Sequence, residues 1–235
     1  MTGIKIKSIG ISICSDRIIS HDLEQQTNPA KSDKRETFMN GADILGFLRG
    51  PTTLEFLQQY LVTIAGNPGV SQQYNYYAYD DFGRLKINAN QHASPPNAHQ
   101  FQAHSIQMVE SNAPGFVMGQ LNGYVLDGAG SDIMVTGMLN GCSFIVKANG
   151  NDVRCAHVRP AQGTRGEDLN TNAMNTSQFH GDPGNVSVYG RLNYPQTATE
   201  GRSSTVLGVR KAGVWRIYQQ QFDANFNVVS ASQIF

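Results

Sequence analysis

The sequence predicts an α+β fold that is mostly an antiparallel β-sandwich, with two packed mixed sheets, a few flanking helices and long loops. From residue 70 onward, short stretches rich in β-branched and aromatic residues recur between turn signals, as in YNYYAY (74–79) and VWRIYQQQF (214–222). A helical period of apolar residues is confined to one stretch before them. Polar, glycine-rich segments separate the strands. Together these features are typical of packed sheets with little helix.

One helix is predicted to begin near Thr52 and to pack its apolar side chains on a sheet. Thr52 and Glu55 have the spacing of a capping box. Four apolar residues then recur with helical period: Leu54, Leu57, Leu61 and Ile64. The stretch Asn67-Pro68-Gly69 is predicted to end the helix.

Two long polar stretches are predicted to lack regular structure. Residues 21–37 (HDLEQQTNPAKSDKRET) are interpreted as a flexible loop or linker. Residues 160–185 are polar and glycine-rich, and a loop of that length inside a domain is often functional. The sequence shows no internal repeat and no clear domain boundary. We therefore interpret residues 1–235 as a single domain.

Charge and composition exclude several classes of partner. Lysine plus arginine and aspartate plus glutamate each number 18, so the net charge is zero. A neutral chain offers no bulk attraction to nucleic acid or to anionic membranes. The apolar runs are too short to span a bilayer, and the start of the chain is no recognisable signal peptide. Three cysteines make no disulfide framework and fit a reducing compartment.

The stretch LNGCSFIVKANGNDVRCAH (139–157) predicts a hairpin that carries a cysteine and a histidine on one sheet face. A two-residue turn at Asn149-Gly150 pairs Cys142 with His157 and Phe144 with Cys155. Directly opposed Cβ atoms lie roughly 4.5–5.5 Å apart, which lets a thiol and an imidazole form a hydrogen bond. We expect Cys155 to be inert core.

This pairing favours nucleophilic catalysis by a thiol. A histidine beside Cys142 can take its proton and leave a thiolate. Gly141 lets a substrate approach the backbone, and the amides around Asn140 and Gly141 are natural oxyanion donors. Three alternatives remain open: a purely structural hairpin, a zinc site that lacks a fourth ligand, and a disulfide between Cys142 and Cys155 in another register.

The segment VTGMLNGCSFIVKANGNDVRCAH (135–157) resembles the active-site stretch of the bacterial deamidase toxins that include cytotoxic necrotizing factor and Burkholderia lethal factor. Those toxins carry Leu-Ser-Gly-Cys before a hairpin and a catalytic histidine. Here the motif falls on residues 139–142, with Asn140 in place of serine, and the histidine is His157. The resemblance implies that the main-chain carbonyl of Thr136 orients this histidine. It covers about residues 115–220.

The resemblance implies a function for the whole chain. It predicts a toxin or effector that deamidates a glutamine of a host target protein, such as a small GTPase or a translation factor, through a thioester. Such an enzyme is secreted or translocated by a bacterium, acts in the host cytosol, and needs no metal or organic cofactor. We expect a monomer that binds neither nucleic acid nor membrane. The alternatives are a cysteine peptidase or chemoreceptor-type deamidase with the same pair, and a non-catalytic β-sandwich binding module.

Overall fold

The structure is a computed structural model. It describes residues 39–66, 71–89, 95–112, 123–149, 152–175, 178–179, 182–183, 186–194 and 203–235. The predicted linker at 21–37, the predicted helix end at 67–69 and part of the predicted 160–185 loop lie outside these ranges.

The described residues form three helices and fifteen strands. The helices are α1 (Gly41–Arg49), α2 (Thr53–Gln59) and α3 (Gly166–Asn175). The strands are β1 (Val62–Ala65), β2 (Ser71–Asp81), β3 (Arg84–Ala89), β4 (His99–Ile106), β5 (Met108–Glu110), β6 (Tyr124–Leu126), β7 (Ile133–Thr136), β8 (Ser143–Asn149), β9 (Asp152–Arg159), β10 (Gln178–Phe179), β11 (Asp182–Pro183), β12 (Val186–Tyr189), β13 (Ser203–Lys211), β14 (Val214–Phe222) and β15 (Val228–Gln233).

Most of the strands belong to two mixed sheets. The first has eight strands in the order β1-β3-β2-β4-β7-β13-β14-β15, and the second has five strands, β12-β8-β9-β5 with β6 also paired to β9. Three pairs are parallel, namely β1 with β3, β4 with β7 and β5 with β9, and the other described pairs are antiparallel. Each of these two sheets is therefore mixed, as the sequence predicts.

Apolar side chains stack the elements in four layers. One face of the first sheet packs on α1 and α2, through residues such as Leu48 and Val135. Its other face packs on the second sheet, where Met134 and Phe144 belong to one core. The outer face of the second sheet packs on α3 through Leu169. This arrangement confirms the predicted α+β sandwich. In the described residues no helix has the length and apolar character needed to cross a bilayer.

The predicted helix is shorter than its apolar period suggests. The helix α2 ends at Gln59, and Val62–Ala65 is the strand β1, parallel to β3. The stretch from 62 to 64 is Val-Thr-Ile, and such a β-branched run packs better in a strand than in a helix. The capping interaction is also different, because no side chain caps α2.

Two helices lie where the sequence predicts none. The helix α1 begins after Asn40, whose side chain accepts a hydrogen bond from the Asp43 amide. The helix α3 lies inside the predicted 160–185 loop, so that prediction is wrong for residues 166–175. Leu169 and Ala173 are four residues apart and both are buried against the second sheet. Tertiary packing of this small apolar stripe, rather than propensity, stabilises α3.

Candidate functional site

The predicted site residues lie where two chain segments pass from the first sheet to the second. The parallel strands β4 and β7 end side by side at Ile106 and Thr136. After Ile106 the chain enters β5, which pairs with β9 of the second sheet. After Thr136, Leu139 forms an isolated bridge to Ser204, and the chain then reaches Cys142 and β8. Both crossings therefore meet next to β9.

The hairpin has a different register from the predicted one. The strands β8 and β9 pair Asn149 with Asp152, so Phe144, not Cys142, lies opposite His157. The predicted partner of Phe144 was Cys155, which instead lies opposite Val146. Of the predicted turn residues, Gly150 lies outside the described residues. The shift is two residues, and because side chains alternate with period two, it leaves every side chain on its predicted face.

His157 lies in the interior between the sheets and is held by a hydroxyl. It is flanked by Phe144 on one neighbouring strand and Met108 on the other. Its Nδ1 lies 2.8 Å from the Thr136 hydroxyl oxygen, and that oxygen lies 2.9 Å from the Ile106 carbonyl. The resemblance implied an orienting main-chain carbonyl of Thr136; the group in contact is its side chain.

The hydroxyl fixes the tautomer of the imidazole. A carbonyl only accepts, so the single Thr136 proton goes to Ile106 and the hydroxyl accepts from Nδ1–H of His157. Nε2 then carries the lone pair. This atom is buried and has no hydrogen-bond partner among the described residues. Burial also lowers the pKa of His157 to about 4, so the ring is a neutral base at pH 7.

Cys142 lies just before β8 and belongs to the same interior core as Phe144. It is 4% exposed, and its Sγ contacts Sδ of Met108 at 3.8 Å. Burial raises the pKa of the Cys142 thiol to about 11, although the Asn140 backbone amide acts in the opposite direction. No hydrogen bond joins Cys142 to His157 among the described atoms, so the predicted direct contact is absent from this resting arrangement.

The loop before Cys142 is packed tightly on one side and open on the other. Gly141 has φ +93°, a conformation that favours glycine, and a Cβ there would meet no described atom within 4 Å. Its carbonyl is in close contact with Gly166 at the start of α3, where a Cβ would lie 2.5 Å from that oxygen. The buried hydroxyl of Tyr194 donates to the Cys142 carbonyl. The Asn140 backbone amide favours the thiolate form of Cys142 and so acts to lower the pKa of the thiol.

Cys155 is a core residue, as expected. It is buried opposite Val146, and burial raises its pKa well above the ordinary value. Its thiol faces the Tyr124 carbonyl at 3.7 Å. In the described part of the chain, no three or more histidine, cysteine or acidic side chains cluster in a way that could hold a metal ion.

Sequence reasoning missed three groups at this site: the Met108 thioether, the Ile106 carbonyl and the Tyr194 hydroxyl. Each contacts a residue 30 or more positions away along the chain. Nothing in the local sequence indicates that β5 pairs with β9.

No protein-family model matches the chain, and no curated protein is similar enough to count as a relative. The resemblance to the deamidase toxins therefore depends on the residues quoted above and stays a prediction.

Proposed function

We propose that this protein is a cysteine-dependent protein glutamine deamidase, with Cys142 as nucleophile, His157 as acid and base, and Thr136 as the residue that positions His157. The single observation that carries this proposal is the lone pair of His157 Nε2. It is buried, has no hydrogen-bond partner among the described residues and is held in the base tautomer by the Thr136 hydroxyl. His104 also has a buried Nε2 without a partner among the described residues, so what distinguishes His157 is its neighbour Met108, which contacts Cys142.

The reaction takes two steps. His157 Nε2 takes the Cys142 proton, and the sulfur attacks the carboxamide carbon of the substrate glutamine. The carbon–nitrogen bond breaks, the proton on His157 goes to the departing nitrogen, and ammonia leaves a thioester. Water, deprotonated by His157, then attacks the thioester, and glutamate and the free thiol are released. The amides of Asn140 and Gly141 would donate to the oxyanion in both steps.

The resting site holds both groups in their neutral forms. Burial raises the pKa of Cys142 and lowers that of His157, so thiol and imidazole persist at pH 7. Proton transfer between them therefore has to accompany substrate entry, when the polar carboxamide and the backbone donors stabilise charge inside the site. A buried thiol in its protonated form is also protected from oxidants and stray electrophiles.

The proposed function also implies a target protein and a cellular setting. The substrate is a glutamine of a host protein, with a small GTPase or a translation factor as the candidates that the resemblance implies. The producer is a bacterium that secretes or translocates the protein into the host cytosol. Neither reaction step calls for a metal or an organic cofactor, because the thiol and the imidazole supply the nucleophile and the proton transfers.

A non-catalytic β-sandwich binding module is the second candidate. It is favoured by the burial of the Cys142 sulfur, which is 4% exposed, and by the missing hydrogen bond to His157. A cysteine peptidase or a chemoreceptor-type deamidase would use the same two side chains. These candidates differ in their products. The binding module makes none, the peptidase releases cleaved peptides, and the chemoreceptor-type deamidase yields a deamidated receptor.

The test uses the 235-residue chain and a host-cell lysate. Mass spectrometry should find glutamine-to-glutamate conversion at a defined position with the wild type and none with Cys142→Ala. The matched control is Cys155→Ala, which removes a buried thiol from the same sheet face and should keep the activity. Equal conversion by wild type and Cys142→Ala would exclude the proposal. New peptide termini would instead favour the peptidase.

A further inference from the structure

One side chain of the protein itself contacts the sulfur of the candidate nucleophile. Met108 lies on β5 directly beside His157, and its Sδ is 3.8 Å from Sγ of Cys142. Met108 is partly exposed, whereas Cys142 is 4% exposed. The thioether of a partly exposed strand residue therefore lies against the buried thiol.

The chemistry of the covering side chain resembles that of the proposed substrate. Methionine and glutamine are both unbranched, and the sulfur of methionine occupies the same place along the side chain as the carboxamide carbon of glutamine. Reacting atoms in a productive complex lie roughly 3–3.5 Å apart, and the Met108 sulfur is only slightly farther than this from Cys142 Sγ. A glutamine carboxamide placed here would also lie next to His157.

We propose that Met108 occupies the place of the substrate glutamine side chain, and that β5 must move aside before a target protein can react. This inference rests on the proposed function, because it assigns the substrate position within that site. It makes Met108 an internal cover for Cys142, not a catalytic residue.

The strand that carries Met108 is suited to displacement. It has three residues and pairs with β9 through Met108, Val109 and Glu110. An ion pair between Glu110 and Arg159 holds its far end, and both side chains are almost half exposed. Short edge strands with exposed ion pairs open at low free-energy cost. A target segment in extended form can replace β5 on the same edge.

The first arm of the test measures access to the thiol and does not depend on deamidation. Met108→Ala should speed alkylation of Cys142 at pH 7.5 by about tenfold or more, as expected if the thiol pKa falls by one unit or more. Met108→Leu keeps the cover and should label at the wild-type rate. An unchanged rate in Met108→Ala, or an equal increase in Met108→Leu, would overturn the inference.

The second arm converts the cover into a substrate. Met108→Gln places a carboxamide beside Cys142, so the folded protein should lose the mass of ammonia as an internal thioester forms, and after hydrolysis should carry glutamate at position 108. The controls are Met108→Asn, whose carboxamide is one carbon closer to the backbone, and Val109→Gln, which faces the α3 side with Val158. Neither should change in mass, and Met108→Gln combined with Cys142→Ala should be inert.

The two arms separate failure of this inference from failure of the proposed function. Conversion of lysate glutamine by the wild type without reaction of folded Met108→Gln would reject the position assigned to Met108 and keep the deamidase. Faster labelling of Met108→Ala with no conversion in either assay would reject the deamidase and keep Met108 as the cover. Reaction of Val109→Gln at the rate of Met108→Gln would reject the assigned position.

Discussion

The hydroxyl of Thr136 lies 2.8 Å from Nδ1 of His157 and joins the two β-sheets at the candidate site. Thr136 ends a strand of the eight-stranded sheet, and His157 lies on a strand of the other. Because the same hydroxyl donates to the Ile106 carbonyl, it accepts from the imidazole. The contact between Thr136 and His157 therefore fixes both the orientation of the ring and its tautomer.

Replacing that hydroxyl should affect stability and tautomer together. Thr136→Val leaves the buried Nδ1–H of His157 and the Ile106 carbonyl without this partner, at a cost of about 1–3 kcal/mol in the free energy of unfolding. Urea unfolding measures the cost, and nitrogen NMR of the imidazole measures the tautomer. Thr136→Ser keeps the hydroxyl and should behave like the wild type. A wild-type ring protonated at Nε2 and not at Nδ1 would contradict the assignment.

Burial of His157 predicts a specific pH dependence of stability. Its pKa falls from 6.5 to about 4 on folding, so the unfolded chain binds more protons between these values. The contribution of His157 to the free energy of unfolding should therefore be complete above pH 6.5. It should decrease as the pH falls toward 4, by up to about 1.4 kcal/mol per pH unit.

Urea titrations across that pH range test the assignment to His157. In His157→Gln the slope should be smaller than in the wild type. Burial also lowers the pKa of His104, which adds a slope common to both proteins. Equal slopes in the wild type and His157→Gln would show that the folded imidazole is not shielded from protons.

The close packing of Gly166 on the Gly141 carbonyl predicts that a methyl group there is harmful. In Gly166→Ala the new Cβ would lie 2.5 Å from that oxygen, so the loop before Cys142 must shift. We expect a loss of about 1–3 kcal/mol in the free energy of unfolding. Gly46→Ala in α1 is the control: its Cβ meets no described atom within 4 Å, and a helical alanine should add up to about 1 kcal/mol. Thermal unfolding compares them, and a neutral Gly166→Ala would contradict the contact.

The hydrogen bond from Tyr194 to the Cys142 carbonyl predicts a local effect on the thiol. Tyr194→Phe should cost about 1–3 kcal/mol in the free energy of unfolding and should change the alkylation rate of Cys142. Tyr189→Phe is matched, because the Tyr189 ring packs on Tyr194 while its hydroxyl bonds Ser204 and Gln219. It should lower stability without changing the alkylation rate. Identical alkylation in both variants would place Tyr194 outside the site.

The hairpin shows what local sequence reasoning achieves and where it stops. Alternating polarity predicts the strands β8 and β9 and places Cys142, Phe144 and His157 on one face. The turn signal assigns the partner of His157 incorrectly by two residues. The two faces of a strand differ strongly in burial, so the sequence pattern identifies the buried face. A two-residue shift keeps the same face buried and changes only which residues pair.

The helices show the same limit. In α2 a run of β-branched residues after Gln59 begins β1, although the apolar period alone would continue the helix. In α3 a weak apolar stripe forms a helix because Leu169 and Ala173 find a sheet to pack against. In both cases the available partner surface, which a local pattern does not contain, decides the structure.

The amino-acid order by itself determined the class of fold and the sheet face on which the cysteine and histidine lie, because strand periodicity is a local property. Only the tertiary structure decided that the Thr136 hydroxyl holds the imidazole, that Tyr194 holds the cysteine backbone and that Met108 covers the sulfur. These contacts join residues 21, 52 and 34 positions apart, and they form only when both crossings between the sheets converge on β9.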